Sequence, residues 1–357
     1  MTFLMAGGGT GGHVIPALAV AGELRRRGHQ PWFIGTRRGL EARLVPAAGF
    51  PIEWIEIGGL KRVGLAQWLR TMWQLPASTW AVWRRLGRRR PAAVFSLGGY
   101  AAGPVMLAAW LRRIPILVME PNAVPGFTNR RMGRVVARAL INFEETARYF
   151  PPGRTERTGV PVRAGFFALP PRPRGATLNL LVTGGSQGSR TLNRATRESW
   201  PLFRAAGLPA RMVLQTGTAA HAEFQRDFAA AGLAGEAVPF IDDMPAAFAS
   251  ADLVVCRSGA GAVAELAAAG KPSILVPFPF AADQHQLRNA EAMARAGAAR
   301  LVLDSEMNGR RLFEEAGALW AEPGRLEKMG EAARLLARPG AAARAAELLE
   351  EAARISG

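Results

Sequence analysis

The sequence predicts an α/β protein of two domains, each a parallel sheet with helices on both faces, whose strand ends face one another across a cleft. Three observations predict it. Short apolar strands alternate with helical stretches along most of the 357 residues. A strand, a glycine turn and a helix follow one another at the start of each half, around residues 7–13 and again around 184–190. Between the halves, at 161–175, the composition turns to Pro, Arg and Gly, which marks a linker. The expected domains are 1–162 and 163–339. A helix over 340–357 is a candidate to cross back and complete the first domain.

The first strand covers residues 2–6 and runs into the turn Gly7-Gly8-Gly9-Thr10-Gly11-Gly12-His13. Gly7, Gly9 and Gly12 match the GxGxxG pattern of dinucleotide-binding turns. That pattern also wants an acid at the end of the second strand (30–34), where this chain has Gly35-Thr36-Arg37-Arg38. Arginines there suit an NADP 2′-phosphate, so an NADP-dependent oxidoreductase is one alternative. His13 opens the first helix beside the cleft and suits proton transfer near neutral pH; its plain alternative is packing on its own loop. Strands at 93–96 and 116–119 lead into two more loops on the same side, 96–104 and 120–126. The second of these carries Glu120 and Asn122 as hydrogen-bonding candidates, with a turn-forming asparagine as the alternative.

In the second half, the strand Leu178–Thr183 feeds the turn Gly184-Gly185-Ser186-Gln187-Gly188. The most informative stretch is 256–290. The spacing predicts a buried strand over Leu253–Cys256, a tight turn at Ser258 and Gly259, and a helix Ala260–Ala269 stopped by Gly270 and Pro272. A helix opened by glycine leaves backbone N–H groups and the positive dipole end for a phosphate. Glu265, a turn and a half further in, is placed to accept hydrogen bonds from sugar or ribose hydroxyls. A helix near 284–296 presents His285, Gln286 and Asn289 on one side. The competing reading is an ordinary βα turn in an α/β core. The Ala-rich stretch 322–355 reads as helical.

Half of the residues are apolar, enough for large cores without staples. The single cysteine, Cys256, sits in an apolar strand, which argues against disulfides and Cys-based metal sites. Neither HExxH, Asp-x-Asp nor a P-loop occurs, so no metal site and no cofactor is expected. The N-terminus enters a strand without a signal-peptide pattern. The longest apolar run, 101–111, is shorter than the roughly 20 residues of a bilayer span. Both point to a soluble cytoplasmic chain. The formal charge of +17 implies an anionic partner. Residues 61–90 concentrate it, with eight basic residues, no acid and four of the nine tryptophans. A helical stripe containing Trp68 and Trp73, followed by Trp80 and Trp83 and by Arg84, Arg85, Arg88, Arg89 and Arg90, suits an anionic membrane surface. The alternative is tryptophans packed into the core with solvated arginines. Nucleic acid is disfavoured, because no recognised nucleic-acid-binding motif accompanies the charge.

Taken together, Gly8–His13, Gly98–Pro104, Asn122–Asn129, Gly184–Gly188, Phe240–Met244, Cys256–Ala260 and Asp283–Asn289 resemble the MurG family, in order and over nearly the whole chain. The resemblance implies two Rossmann-like domains of the glycosyltransferase B type. It implies an inverting N-acetylglucosaminyltransferase that moves GlcNAc from UDP-GlcNAc to the MurNAc 4-hydroxyl of undecaprenyl-pyrophosphoryl-MurNAc-pentapeptide, lipid I to lipid II, in peptidoglycan synthesis. By motif, the donor contacts fall on Thr10, Gly11, Gly12, Asn122, Arg163, Ser186 and Ile241. They continue at the helix start Ala260, Gly261, Ala262, Val263, Ala264 and Glu265, and at His285, Gln286 and Asn289. His13 is the expected base, with Glu120 second. The implied location is peripheral, on the cytoplasmic face of the inner membrane, with cell-wall and division machinery as further partners. The chain departs from the family pattern at Met119, Pro121, Val160, Gly261 and Ala262. The runners-up are a UDP-sugar transferase acting on another acceptor and a non-catalytic UDP-GlcNAc-binding protein at the membrane.

Overall fold

A computed structural model describes residues 1–8, 11–58, 65–185 and 187–355. The chain divides into two compact units. Unit 1 comprises Met1–Pro161 with Arg338–Gly357, and unit 2 comprises Val162–Ala337.

In unit 1 the strands are β1 (Thr2–Gly7), β2 (Gln30–Gly35), β3 (Ile52–Trp54), β4 (Ala93–Gly98), β5 (Ile116–Glu120), β6 (Arg138–Ile141) and β7 (Thr155–Glu156). They form one parallel sheet in the order β3-β2-β1-β4-β5-β6-β7. The helices between them are α1 (Gly11–Arg26), α2 (Glu41–Ala47), α3 (Leu65–Arg89), α4 (Ala102–Leu111) and α5 (Phe127–Met132). Strand residues alternate between two apolar layers. Phe3, Met5, Phe33, Phe95 and Leu117 pack with Val20 and Leu24 of α1 and with Leu348 and Leu349 near the C-terminus. Leu4, Ala6, Ile34, Val94 and Val118 pack with Val82 and Leu86 of α3 and with Val105 and Met106 of α4. A sheet covered on both faces needs apolar residues at every strand position, which is why these strands read as continuous apolar runs.

Unit 2 repeats the plan. Its strands are β8 (Leu178–Thr183), β9 (Ala210–Gln215), β10 (Ala234–Val238), β11 (Leu253–Cys256), β12 (Ser273–Leu275) and β13 (Ala299–Leu301), again all parallel and ordered β10-β9-β8-β11-β12-β13. Its helices are α6 (Ala164–Phe167), α7 (Arg190–Ala205), α8 (His221–Ala231), α9 (Met244–Ser250), α10 (Ala260–Ala269), α11 (His285–Arg295), α12 (Gly309–Ala321) and α13 (Arg325–Leu336). The last helix, α14 (Ala341–Ile355), belongs to unit 1 and packs on α1 and β4.

Two expectations change. The Pro-, Arg- and Gly-rich stretch is not a free linker, because the chain passes between units at Pro161 and Val162 and the segment beyond is pinned to unit 2. Arg172 Nε donates to Asp252 at 2.9 Å, and Arg174 donates to the Trp320 carbonyl with its guanidinium 4.4 Å from the Trp320 ring. The helical stretch at 322–355 is broken into α13 and α14, because Pro339 cannot donate to a helix and Gly340 takes φ +77°.

Each sheet reverses its strand order beside its first strand, between β1 and β4 in unit 1 and between β8 and β11 in unit 2. Loops at the carboxyl ends of strands flanking such a switch point diverge and leave a crevice for ligands. The glycine turns predicted from sequence follow these four strands.

Candidate active site

In unit 2 the turns after β8 and β11 line a cavity of about 670 Å³, with Gly184, Gly188, Arg257, Gly259, Ala262 and Glu265 in its wall. α10 starts at Gly259, which is extended (φ −62°, ψ 148°), and no side chain caps it. Its first N–H groups therefore remain for a ligand. Ser258 fixes the turn from below. Its hydroxyl donates to the Gln286 carbonyl at 2.8 Å, and its own carbonyl accepts from Asn289 Nδ2 at 3.1 Å.

Glu265 is half-buried, with Arg163 at 3.7 Å. Burial raises its carboxyl above the usual range, and the Arg163 guanidinium opposes the rise. Cys256, beneath the turn, has its thiol pushed up to about 12 by burial, with the Glu265 charge adding to the effect. It is therefore a neutral packing group, not a nucleophile.

Not all of the predicted donor residues reach this cavity. Ala262, Glu265 and Gln286 line the cavity. Ala260 is half-buried and Gly261 exposed, whereas Val263 and Ala264 are buried and have only backbone to offer. Asn289 is fully buried beneath the turn, and a His285 ring nitrogen bonds the Ala282 carbonyl at 2.7 Å. These two residues hold the loop together in this structure. Ile241 donates its N–H to Gln215 Oε1 at 3.1 Å. Thr10 and Ser186 lie outside the described residues, and Gly11 and Gly12 occupy the first turn of α1.

Sequence reasoning missed the struts of this cavity. Arg257 reaches Asp304, donates to Ser189 Oγ at 2.7 Å and to the Val276 carbonyl at 3.1 Å, and so ties together the loops after β8, β11, β12 and β13. Gln215, 1 % exposed, donates to the Gly185 carbonyl at 2.7 Å while accepting from Ile241. Arg257 stands inside a motif the sequence singles out, and Asp304 lies just beyond a strand end; that position was the available signal.

In unit 1 a second cavity, of about 430 Å³, is lined by His13, Tyr100, Glu120, Asn122 and Phe127 among others. His13 Nδ1 lies 3.3 Å from the Gly8 carbonyl. A carbonyl only accepts, so Nδ1 carries a proton, and in the neutral ring the basic lone pair is then on Nε2. Gly98 and Gly99 both take φ +82°, and a Cβ on Gly99 would come within 2.9 Å of the Gly8 carbonyl oxygen. Only glycine allows that approach.

Glu120 is 2 % exposed, and both its oxygens are engaged. Oε1 accepts from Asn122 N and Nδ2, each at 3.1 Å. Oε2 accepts from Gly126 N at 3.1 Å and from Asn129 Nδ2 at 2.9 Å. Burial pushes this carboxyl up, and these four donors pull the other way. Glu120 organises the loop that carries Asn122. The acid missing by linear position after β2 is supplied from α2: buried Glu41 accepts from Thr36 N at 3.0 Å and from Thr36 Oγ1 at 2.8 Å. At 0 % exposure it presents nothing to a ribose, which weakens the dinucleotide alternative further. Among the described residues no group of His, Cys, Asp and Glu is arranged to hold a metal ion.

On α3, Trp73 is 82 % exposed and Trp80 58 %, so neither is a core residue. The Trp68 side chain lies outside the described residues. Arg84 lies 4.8 Å from the Trp80 ring, and Arg112 lies 3.8 Å from that of the exposed Trp83. Arg85 and Arg89 pair with Glu53, each at 3.3 Å, while Arg88 and Arg90 are exposed. No helix among the described residues is long and apolar enough to cross a membrane.

Residues 3–141 match the glycosyltransferase family 28 N-terminal domain, and residues 179–349 match the C-terminal domain of the same family. A UDP-N-acetylglucosamine–N-acetylmuramyl-(pentapeptide) pyrophosphoryl-undecaprenol N-acetylglucosamine transferase of Solibacter usitatus is 62 % identical over 99 % of this chain and 96 % of its own. A protein of the same name from Halorhodospira halophila is 45 % identical over 99 % and 98 %. Among solved structures, Acinetobacter baumannii MurG superposes with a TM-score of 0.84 at 34 % identity, covering 98 % of this chain and 99 % of that one. The calicheamicin glycosyltransferase CalG4 superposes at 0.70 with 21 % identity over 98 % of each chain, a likeness of fold.

Proposed function

Because the chain belongs to the MurG family, within glycosyltransferase family 28, we infer that it transfers N-acetylglucosamine from UDP-GlcNAc to the MurNAc 4-hydroxyl of lipid I, giving lipid II for peptidoglycan. The observation that carries this reading is 62 % identity to a transferase of that name over 99 % of the chain. The site supports it with two cavities of complementary chemistry.

The donor's place is the unit 2 cavity. Its diphosphate meets the open N–H groups of α10, and its ribose hydroxyls meet Glu265. The acceptor's place is the unit 1 cavity. The reaction is a single in-line displacement: the MurNAc 4-oxygen attacks the anomeric carbon from the face opposite the diphosphate, and the bond to UDP breaks. Inversion gives the β-linked product. Nε2 of His13 takes the hydroxyl proton, since its lone pair is the one the Gly8 contact leaves basic. Negative charge growing on the departing diphosphate is stabilised by the α10 amides and Arg163. Glu120, saturated by four donors, positions Asn122 rather than moving a proton.

The test is transfer of radiolabelled GlcNAc to a lipid I analogue, with and without chelator. We expect one β-linked product with unchanged turnover in chelator. Labelled UDP-GlcNAc that binds but is never transferred would overturn the reading.

The enzyme works at the cytoplasmic surface of the membrane, held there by α3. Exposed Trp73, Trp80 and Trp83 enter the headgroup region, and Arg84, Arg88 and Arg90 face anionic lipid. Arg85 and Arg89 contribute less, because Glu53 already neutralises part of their charge. Each free basic residue near such a surface contributes about 1 kcal/mol. Replacing Arg84, Arg88 and Arg90 by glutamine should therefore weaken partitioning onto phosphatidylserine-containing vesicles by about 100-fold. Sedimentation with vesicles measures it, and UDP-GlcNAc affinity should not move.

A further inference from the structure

We propose that Tyr100 is held as a one-way hydrogen-bond acceptor, and that it selects for a donor group, a hydroxyl or amide N–H, on the sugar acceptor. The inference rests on the reading that the unit 1 cavity takes the acceptor. Its warrant is a relay of three side chains. Glu41 Oε1 accepts from the Thr36 backbone N–H at 3.0 Å and from the Thr36 hydroxyl at 2.8 Å. A threonine hydroxyl carries one hydrogen, and here it is spent on Glu41. The Tyr100 hydroxyl lies 3.0 Å from the same Thr36 oxygen, so the phenol must be the donor of that bond. Its single proton is then committed, and the phenol oxygen of this cavity-lining residue keeps only lone pairs for any further partner.

The relay is built to resist reversal. Thr36 is 3 % exposed and Glu41 0 %, so water does not compete for either oxygen. Glu41 is also closely packed: a Cβ on Gly8 would come within 2.4 Å of its Oε1, and one on Gly39 within 2.0 Å of its Oε2. Gly8 is the residue whose carbonyl orients His13, so one buried carboxylate adjoins both the base's tautomer-setting contact and the polarity of Tyr100. A phosphate or carboxylate oxygen of the ligand would meet lone pair against lone pair at Tyr100. A donor would be accepted. Tyr100 is thus a specificity-determining residue, and Thr36 is a positioning residue that acts through it.

The experiment measures KM for a lipid I analogue and for UDP-GlcNAc in the intact enzyme. The variants are Tyr100→Phe, Thr36→Val, Thr36→Ser and the double variant Tyr100→Phe/Thr36→Val. Losing one neutral hydrogen bond should raise acceptor KM roughly five- to tenfold in Tyr100→Phe, with donor KM changed less than about twofold. Thr36→Val should raise acceptor KM alone but add nothing in the Tyr100→Phe background, while Thr36→Ser keeps the relay and stays near wild type. Additive effects of the two substitutions, or equal shifts in donor KM, would mean a structural role and overturn the inference.

Two acceptor analogues identify the donor group, one lacking the MurNAc 6-hydroxyl and one with an ester in place of the acetamide N–H. The analogue missing the relevant donor should be insensitive to Tyr100→Phe. Full sensitivity with both overturns the inference. If His13→Ala abolishes turnover while Tyr100→Phe leaves acceptor KM unmoved, the relay fails and the acceptor reading stands. If neither changes acceptor kinetics, both fall.

Discussion

Turnover of the His13→Ala enzyme should fall by about 100-fold or more at saturating donor and acceptor, within the range that loss of a positioned general base produces. The ring sits beside the acceptor cavity with its proton on Nδ1, and alanine leaves only water to take the 4-hydroxyl proton. UDP-GlcNAc affinity, measured by titration, should be nearly unchanged, because His13 belongs to unit 1 and the diphosphate cradle to unit 2. Near-normal turnover would remove His13 from the mechanism.

The second large effect is expected at Glu265. Its carboxylate is the one acidic group at the middle of α10 that lines the donor cavity, and two ribose hydroxyls are the natural donors for it. Hydrogen bonds to a charged group contribute about 1.5–3 kcal/mol, so Glu265→Ala should weaken donor binding by roughly 10- to 150-fold. Isothermal titration with UDP-GlcNAc measures this directly, and unchanged affinity would remove the ribose assignment. The sign of the pH dependence follows from the raised carboxyl. Burial lifts its titration above that of an ordinary glutamate, and binding needs the ionised form. Donor affinity is therefore full above that raised pKa and falls as pH drops through it, earlier than an ordinary glutamate would dictate. Arg163, at 3.7 Å, limits the shift, so Arg163→Gln should move the loss to still higher pH.

What could be read from the sequence was what local rules govern. α10 runs from Ala260 to Ala269, as its flanking Gly259, Gly270 and Pro272 dictate, and Gly270 takes the left-handed conformation (φ 60°) that ends it. The strands were legible because burial on both faces demands apolar residues throughout. What escaped was long-range. Nothing near Pro170 tells that Arg172 will meet Asp252, 80 residues away, so a pinned segment reads as a linker. Helical spacing places His285, Gln286 and Asn289 on one side of α11, but not how deep each lies; Asn289 is buried and only Gln286 lines the cavity. The tryptophans of α3 were open to two readings, because an amphipathic stripe looks the same against a core or a lipid surface. Glu41 was invisible as the partner of Thr36, since its carboxylate returns from the following helix to the end of the strand.

The interrupted course of unit 1 has a consequence for how the molecule is made. On the ribosome β1 emerges well before Leu348 and Leu349, which complete the cover that α1 begins on one face of its sheet and which follow all of unit 2. Unit 2 can therefore finish folding while the half that was started earlier still has part of that apolar layer uncovered. During that interval part of the layer that holds Phe3, Phe33 and Phe95 is open to water, and a stop codon near residue 338 would make the exposure permanent.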